Sequence, residues 1–210
     1  INIDDNIMKW VEDSKKMYDA GETGAHAMWS DDWSKGFYPE GKVFCYFGPA
    51  WLINFCMAAD VDGSIANQGG WAATTGPQGF YWGGTWICAA NGTDNAGLIK
   101  DIMLKLATDK DTMKEIVEKD DDFANNKTVM DEMAKDPNYS SKVLGGQNPL
   151  DMYCEGVESI SLDNISNYDS GCNSEFQSAL TNYFEGNATL DEALDIFYTA
   201  VEEKYPELTH

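Results

Sequence analysis

From Val43 to Thr93 the chain carries two charged residues, Asp60 and Asp62, in 51 positions, where the chain-wide 24% would place about twelve. The same stretch holds Trp51, Trp71, Trp82 and Trp86, together with Tyr46, Tyr81, Phe44, Phe47, Phe55 and Phe80. Rings left in water forfeit their burial energy, so a solvated linker is excluded. The stretch is core, pocket wall, or both. Core alone does not account for Asn67, Gln68, Thr74, Thr75 and Gln78 threaded through it. Apolar walls with a few placed polar groups are how ligand pockets are built.

The centre of the stretch is Gly76-Pro77-Gln78-Gly79-Phe80-Tyr81-Trp82-Gly83-Gly84-Thr85-Trp86-Ile87-Cys88-Ala89-Ala90. Strands that only fill a core avoid glycine, yet here four rings stand among four glycines. Glycine lets a backbone bend and approach another group closely. The pattern suits a site for a neutral, ring-shaped, hydroxyl-rich ligand. The competing reading is an aromatic core strand entered through a glycine-rich turn, because core aromatics are common. Trp29 and Trp33, in the polar run from Glu22 to Gly41, pose the same choice: they fold onto the body or meet a ligand.

Two hundred and ten residues suffice for one large domain or two small ones. A net charge of −22 repels nucleic acid and anionic lipid, so neither is an expected partner. No apolar run reaches the length of a membrane span. The five cysteines are widely spaced without a Cys-x-x-Cys pair, so no zinc or redox motif is indicated, and no metal or cofactor is expected. Most sit among apolar neighbours and read as buried thiols rather than bridges; a Cys154–Cys172 bridge is a formal alternative. The histidines are His26 and His210 alone, and neither accompanies a nucleophile motif. Phosphate-binding, dinucleotide-binding and zinc-protease signatures are absent. A glycosidase would set its carboxylates among the sugar-stacking rings. The aromatic stretch has none, apart from Asp60 and Asp62 at its edge, which points instead to binding without turnover, and no catalytic residue is assigned.

Local signals predict the elements around it. Asp4 or Asp5 caps a first helix with Ile7, Trp10, Val11, Met17 and Tyr18 on one face, ended by Gly21. Lys42 to Phe47 reads as a strand, and Pro49 opens a helix to about Ala59 with Trp51 in its first turn. Thr93 or Asp94 caps a helix with Leu98, Ile99, Ile102, Met103 and Leu106 facing inward. A helix follows over about Asp111 to Lys119, then the solvated run Asp120-Asp121-Asp122, then a short helix capped by Thr128. Gly145-Gly146-Gln147 is a second glycine-rich junction, before a helix from about Pro149 to Ile160. Thr189-Leu190-Asp191-Glu192 is a capping box for the last helix, which Pro206 stops.

The order of these features resembles the carbohydrate-binding, maltose-binding-protein-like branch of the extracellular solute-binding proteins of ABC importers. The resemblance is carried by the first helix, Gly48-Pro49-Ala50-Trp51 and the run from Trp82 to Ala90. Gly92-Thr93-Asp94-Asn95, Leu144-Gly145-Gly146-Gln147 and the closing segment from Tyr183 to Leu194 continue it. It implies an α/β fold of the type II periplasmic-binding-protein kind. Residues 1–82 and 145–210 would form the C-terminal lobe and residues 83–144 a crossover segment of the N-terminal lobe, whose remainder would precede Ile1. It further implies a monomer that captures a neutral sugar or oligosaccharide in an interlobe cleft and passes it to a membrane permease. Such a protein works in the periplasm or outside the cell, lipid-anchored to the outer face of a bacterial membrane. By the same resemblance Trp51 is a stacking platform, and Trp82, Gly83, Gly84 and Trp86 are the cleft wall beside the hinge. Gln147 is a further contact. The residues themselves add Trp29, Trp33 and Tyr81. The alternatives are a carbohydrate-active enzyme or lectin-like module on the same rings, or an importer protein for a peptide or polyamine, where cations would meet the rings.

Overall fold

The structure, a computed structural model, describes residues 1–24 and 26–210. Its α-helices are α1 (Asp5–Asp19), α2 (Asp31–Ser34), α3 (Ala96–Thr108), α4 (Lys110–Asp120), α5 (Lys127–Ala134), α6 (Leu150–Glu158), α7 (Asp169–Phe184) and α8 (Leu190–Lys204). The chain divides into two compact units, one of residues 1–30 with 163–210 and one of residues 31–162.

In the first unit Asp4 caps α1 by accepting the Asn6 N–H at 2.8 Å, and Val11 is the helix's fully buried side chain. α7 and α8 form a helical hairpin. Thr189 and Glu192 make the capping box of α8: the Glu192 carboxylate accepts the Thr189 N–H at 2.8 Å, and the Thr189 hydroxyl accepts the Glu192 N–H at 3.3 Å. Val11, Leu180 and Ala193 pack together, and Ala179, Phe197 and Val201 form a second cluster along the hairpin. Gly171 is required here. A Cβ on it would lie 1.9 Å from the Tyr205 hydroxyl, so the missing side chain is what lets Tyr205 lie against α7.

The second unit has two cores. Met113 and Val117 of α4, Val129, Met130 and Met133 of α5, and Leu150 and Cys154 of α6 make one. Phe37, Leu52, Met57, Ala66, Val143 and Leu144 make the other, with Trp33, Tyr46, Trp51 and Trp71 packed on it. Asp109 caps α4 through the Thr112 N–H at 2.9 Å, and Asn126, rather than Thr128, caps α5 through the Val129 N–H at 3.2 Å.

The expected α/β fold is not found. Among the described residues there is no strand and no sheet, so the type II periplasmic-binding-protein architecture is replaced by an all-helical one. Residues 43–48 and 72–90 carry no helix and no ladder, and the backbone bends at Pro77 and Gln78. An extended segment becomes a strand only when another backbone pairs with it. Phe44, 96% exposed, shows the consequence, since a strand buried on both faces would have covered it. The helix expected from Pro49 is a turn followed by a π-helical segment, Leu52–Cys56, closed by the Met57 N–H donating to the Leu52 carbonyl at 3.2 Å. α3 is also unlike its expectation, for none of its residues is buried and Leu98, Ile102, Leu104 and Leu106 stand exposed.

Candidate functional site

Two expected site residues, Trp33 and Trp51, are set by the short helical turns on either side of Tyr46. Trp33 sits on α2 and makes edge contacts with Phe37 at 4.8 Å and Tyr46 at 5.4 Å, and its carbonyl accepts the Tyr46 hydroxyl at 2.9 Å. It is part of the packed body, and burial pushes the Tyr46 phenol up. Trp51 precedes the π-helical segment, whose wider turn brings Phe55 beside it. The two rings meet edge to face at 6.4 Å. Single π-helical turns occur frequently at functional sites. Trp82, 45% exposed, then comes against Trp51 at 6.2 Å and 75°, and Phe80 contacts Trp82 at 6.3 Å.

The result is a four-ring platform of Trp51, Phe55, Phe80 and Trp82, with Phe55 84% exposed. Trp51 and Trp82 are both among the expected site residues, and the structure brings their rings together. Phe55 and Phe80 are not among the residues expected there. The i, i+4 spacing of Trp51 and Phe55 is a signal for the first, because residues four apart share a helical face.

No protein family, curated protein or solved structure matches the chain. The site is therefore read from its geometry.

The remaining expected residues do not join the platform. Among the described residues, Tyr81 is exposed and makes no ring contact, and Trp86 is 78% exposed without one. Gly83 and Gly84 stand in open space, with nothing within 4 Å of where a Cβ would lie. Neither glycine is called for by a close approach to another part of the chain. Trp29 belongs to the first unit, where it is exposed and left-handed at φ 74°. Bulky residues seldom adopt that conformation.

Gln147 has a different role from the expected ligand contact. Its side-chain carbonyl accepts the Ala73 N–H at 2.8 Å, and its amide nitrogen donates to the Ala73 carbonyl at 2.7 Å. Both ends of the amide are thus used by backbone.

Asp121 and Asp122 also depart from the solvated run expected of them. Asp121, left-handed at φ 51°, accepts the Tyr139 hydroxyl at 3.2 Å and the Ser141 hydroxyl at 3.0 Å. Burial holds the Asp122 carboxyl above the usual carboxylate range. Burial and the Asp121 charge push the Tyr139 phenol up, and burial first of all pushes Tyr153 up to about 12.

The five cysteines are unpaired, with Cys154 buried and Cys45 and Cys88 exposed. Among the described residues no group of three or more His, Cys, Asp or Glu is placed to hold a metal. No described helix is long and apolar enough to cross a membrane. Surface hollows occur on α8, beside Asp195, Ile196, Thr199, Ala200 and Glu203, and beside Lys35, Tyr38, Glu40 and Gly41. The four rings line neither, and Phe55, Phe80 and Trp82 are exposed.

Proposed function

We propose that the chain is a binding protein for a neutral sugar or oligosaccharide, stacked on the platform of Trp51, Phe55, Phe80 and Trp82. One observation carries this reading: four rings meet on an exposed face of a stretch that holds two charges in 51 residues. A pyranose offers an apolar C–H face to such rings and hydroxyls to water or to amides nearby. An ionic ligand would be desolvated there without a compensating charge, which disfavours it. The run from Gly76 to Ala90, which supplies Phe80 and Trp82, holds no carboxylate, which favours capture over turnover.

The resemblance to importer proteins extends the proposal to physiology. The bound sugar would be delivered to a membrane permease by a monomer working in the periplasm or outside the cell, anchored by lipid to a bacterial membrane. The cargo would favour whichever conformation it contacts most, and that conformation would be the one the permease engages.

The test is a thermal-shift screen against neutral mono- and oligosaccharides, spermidine and short peptides, since a ligand of the folded state raises the melting temperature. The expected result is a shift with one class of neutral sugar, abolished by Trp51→Ala, and no product on long incubation. A shift confined to spermidine or peptides refutes the sugar reading. Release of new reducing ends refutes capture without turnover.

A further inference from the structure

The aromatic segment has no ladder to hold it, so something else must fix where Phe80 and Trp82 emerge. Two contacts do so, one on either side of the bend at Pro77 and Gln78. The first is the Gln147 amide, which pairs with both the N–H and the carbonyl of Ala73, as a neighbouring strand's peptide would. The second is Gly79. A Cβ there would lie 2.1 Å from the Gly156 carbonyl oxygen and 2.5 Å from the Ser159 hydroxyl, so the backbone is seated directly on the end of α6. Phe80 follows at once.

Gln147 is itself well held. The Ser141 N–H donates to the Gln147 carbonyl at 2.9 Å, and the Gly146 N–H donates to the Ser141 carbonyl at 2.8 Å. The turn passes through Gly145 at φ 62° and Gly146 at φ 92°, values that favour glycine. Ser141 is fully buried and donates to Asp121 at the end of α4. A continuous set of hydrogen bonds therefore runs from α4 through Ser141 and Gln147 to Ala73.

We propose that Gln147 is the positioning residue of the aromatic platform: with Gly79 seated on α6, its clamp on Ala73 delivers Phe80 and Trp82 to Trp51. The proposal rests on reading those rings as the ligand site. Gln147 touches no ligand in it and acts through the backbone.

The test uses the full chain labelled with 5-fluorotryptophan, each fluorine signal assigned by single Trp→Phe substitutions. Gln147→Ala and Gln147→Glu are compared with the parent. Without sugar, Gln147→Ala is expected to move the Trp51 and Trp82 signals and leave Trp10 in place. The Ala73 amide should exchange with deuterium about tenfold faster, the loss expected for a net hydrogen bond. Gln147→Glu keeps an acceptor for the Ala73 N–H and should restore part of that protection. Trp51 and Trp82 signals that stay put while Ala73 loses protection overturn the proposal, because the clamp then does not reach the rings. If Gln147→Ala loses its helical circular dichroism, Gln147→Glu carries the same comparison, and movement or constancy of Trp51 and Trp82 decides it in the same way. Titration with maltotriose and cellobiose then gives a separate answer. A parent protein blind to both, in which Gln147→Ala still moves Trp51 and Trp82, retains the positioning role and counts against the sugar reading alone.

Discussion

Trp71→Phe is expected to be close to neutral, an unusual outcome for a tryptophan packed into a core. The indole sits against the cluster of Phe37, Leu52, Met57, Ala66, Val143 and Leu144, with an edge contact to Tyr46 at 5.9 Å. Its Nε1 is buried and finds no acceptor among the described residues. A buried donor without an acceptor costs about 1–3 kcal/mol, which the substitution removes. Phenylalanine gives up roughly two methylene equivalents of apolar contact, about 1.6 kcal/mol. The two effects oppose, so the net change should lie within about 1.5 kcal/mol of zero, against about 3–5 for ordinary truncation of a core aromatic to alanine. Urea unfolding followed by far-ultraviolet circular dichroism measures it without relying on tryptophan emission, which the substitution itself alters. A loss of more than about 3 kcal/mol would refute the argument, for it would mean that the indole N–H makes a bond worth keeping.

The buried groups beside α4 set the pH dependence of stability at both ends of the scale. Tyr153, pushed up to about 12, keeps its proton in the folded chain above pH 10, where an unfolded tyrosine ionises. Its contribution is complete below about pH 10 and is lost as pH rises through about 12. Tyr153→Phe should therefore flatten alkaline unfolding while changing stability at neutral pH by no more than about 0.5 kcal/mol. A parent and variant with equal alkaline midpoints would contradict this. Asp122 has the same sign at acid pH: its raised folded pKa makes its contribution greatest in acid, and that contribution is lost as pH rises through the folded value. Asp122→Asn keeps an acceptor for the Phe123 N–H and should raise the melting temperature at neutral pH, with the advantage gone in acid. An unchanged or lower melting temperature at neutral pH would contradict it.

The helices are legible where their determinants are local. Asp4 before α1 and Thr189 with Glu192 before α8 are caps whose donors lie two or three residues away, so sequence spacing specifies them. α3 shows the limit of periodicity. Leu98 and Ile102 declare an apolar face, but what meets that face is decided by the rest of the fold, and here the face stays exposed. The strand expected at Lys42–Phe47 fails for the same reason in sharper form. Apolar character is a local property and is legible there, whereas a sheet is a pairing between distant backbones, which apolar character does not encode.

The site divides along the same line. Scarcity of charge from Val43 to Thr93 reports environment, and it marks Trp51, Trp71, Trp82 and Trp86 alike, of which Trp51 and Trp82 meet in the fold. It carries no information about hydrogen-bond partners, and the residues whose sequence misleads are those whose role is a partner. A glutamine after two glycines looks the same whether its amide faces a ligand or a peptide 74 residues away. Three consecutive aspartates look solvated until one of them, turned left-handed, accepts two hydroxyls from a following loop. Polar side chains, unlike apolar ones, are assigned by direction as well as by burial, and direction is set only when the backbone has closed. That is why the Gln147 clamp on the backbone that carries Trp82 had to be seen in the fold.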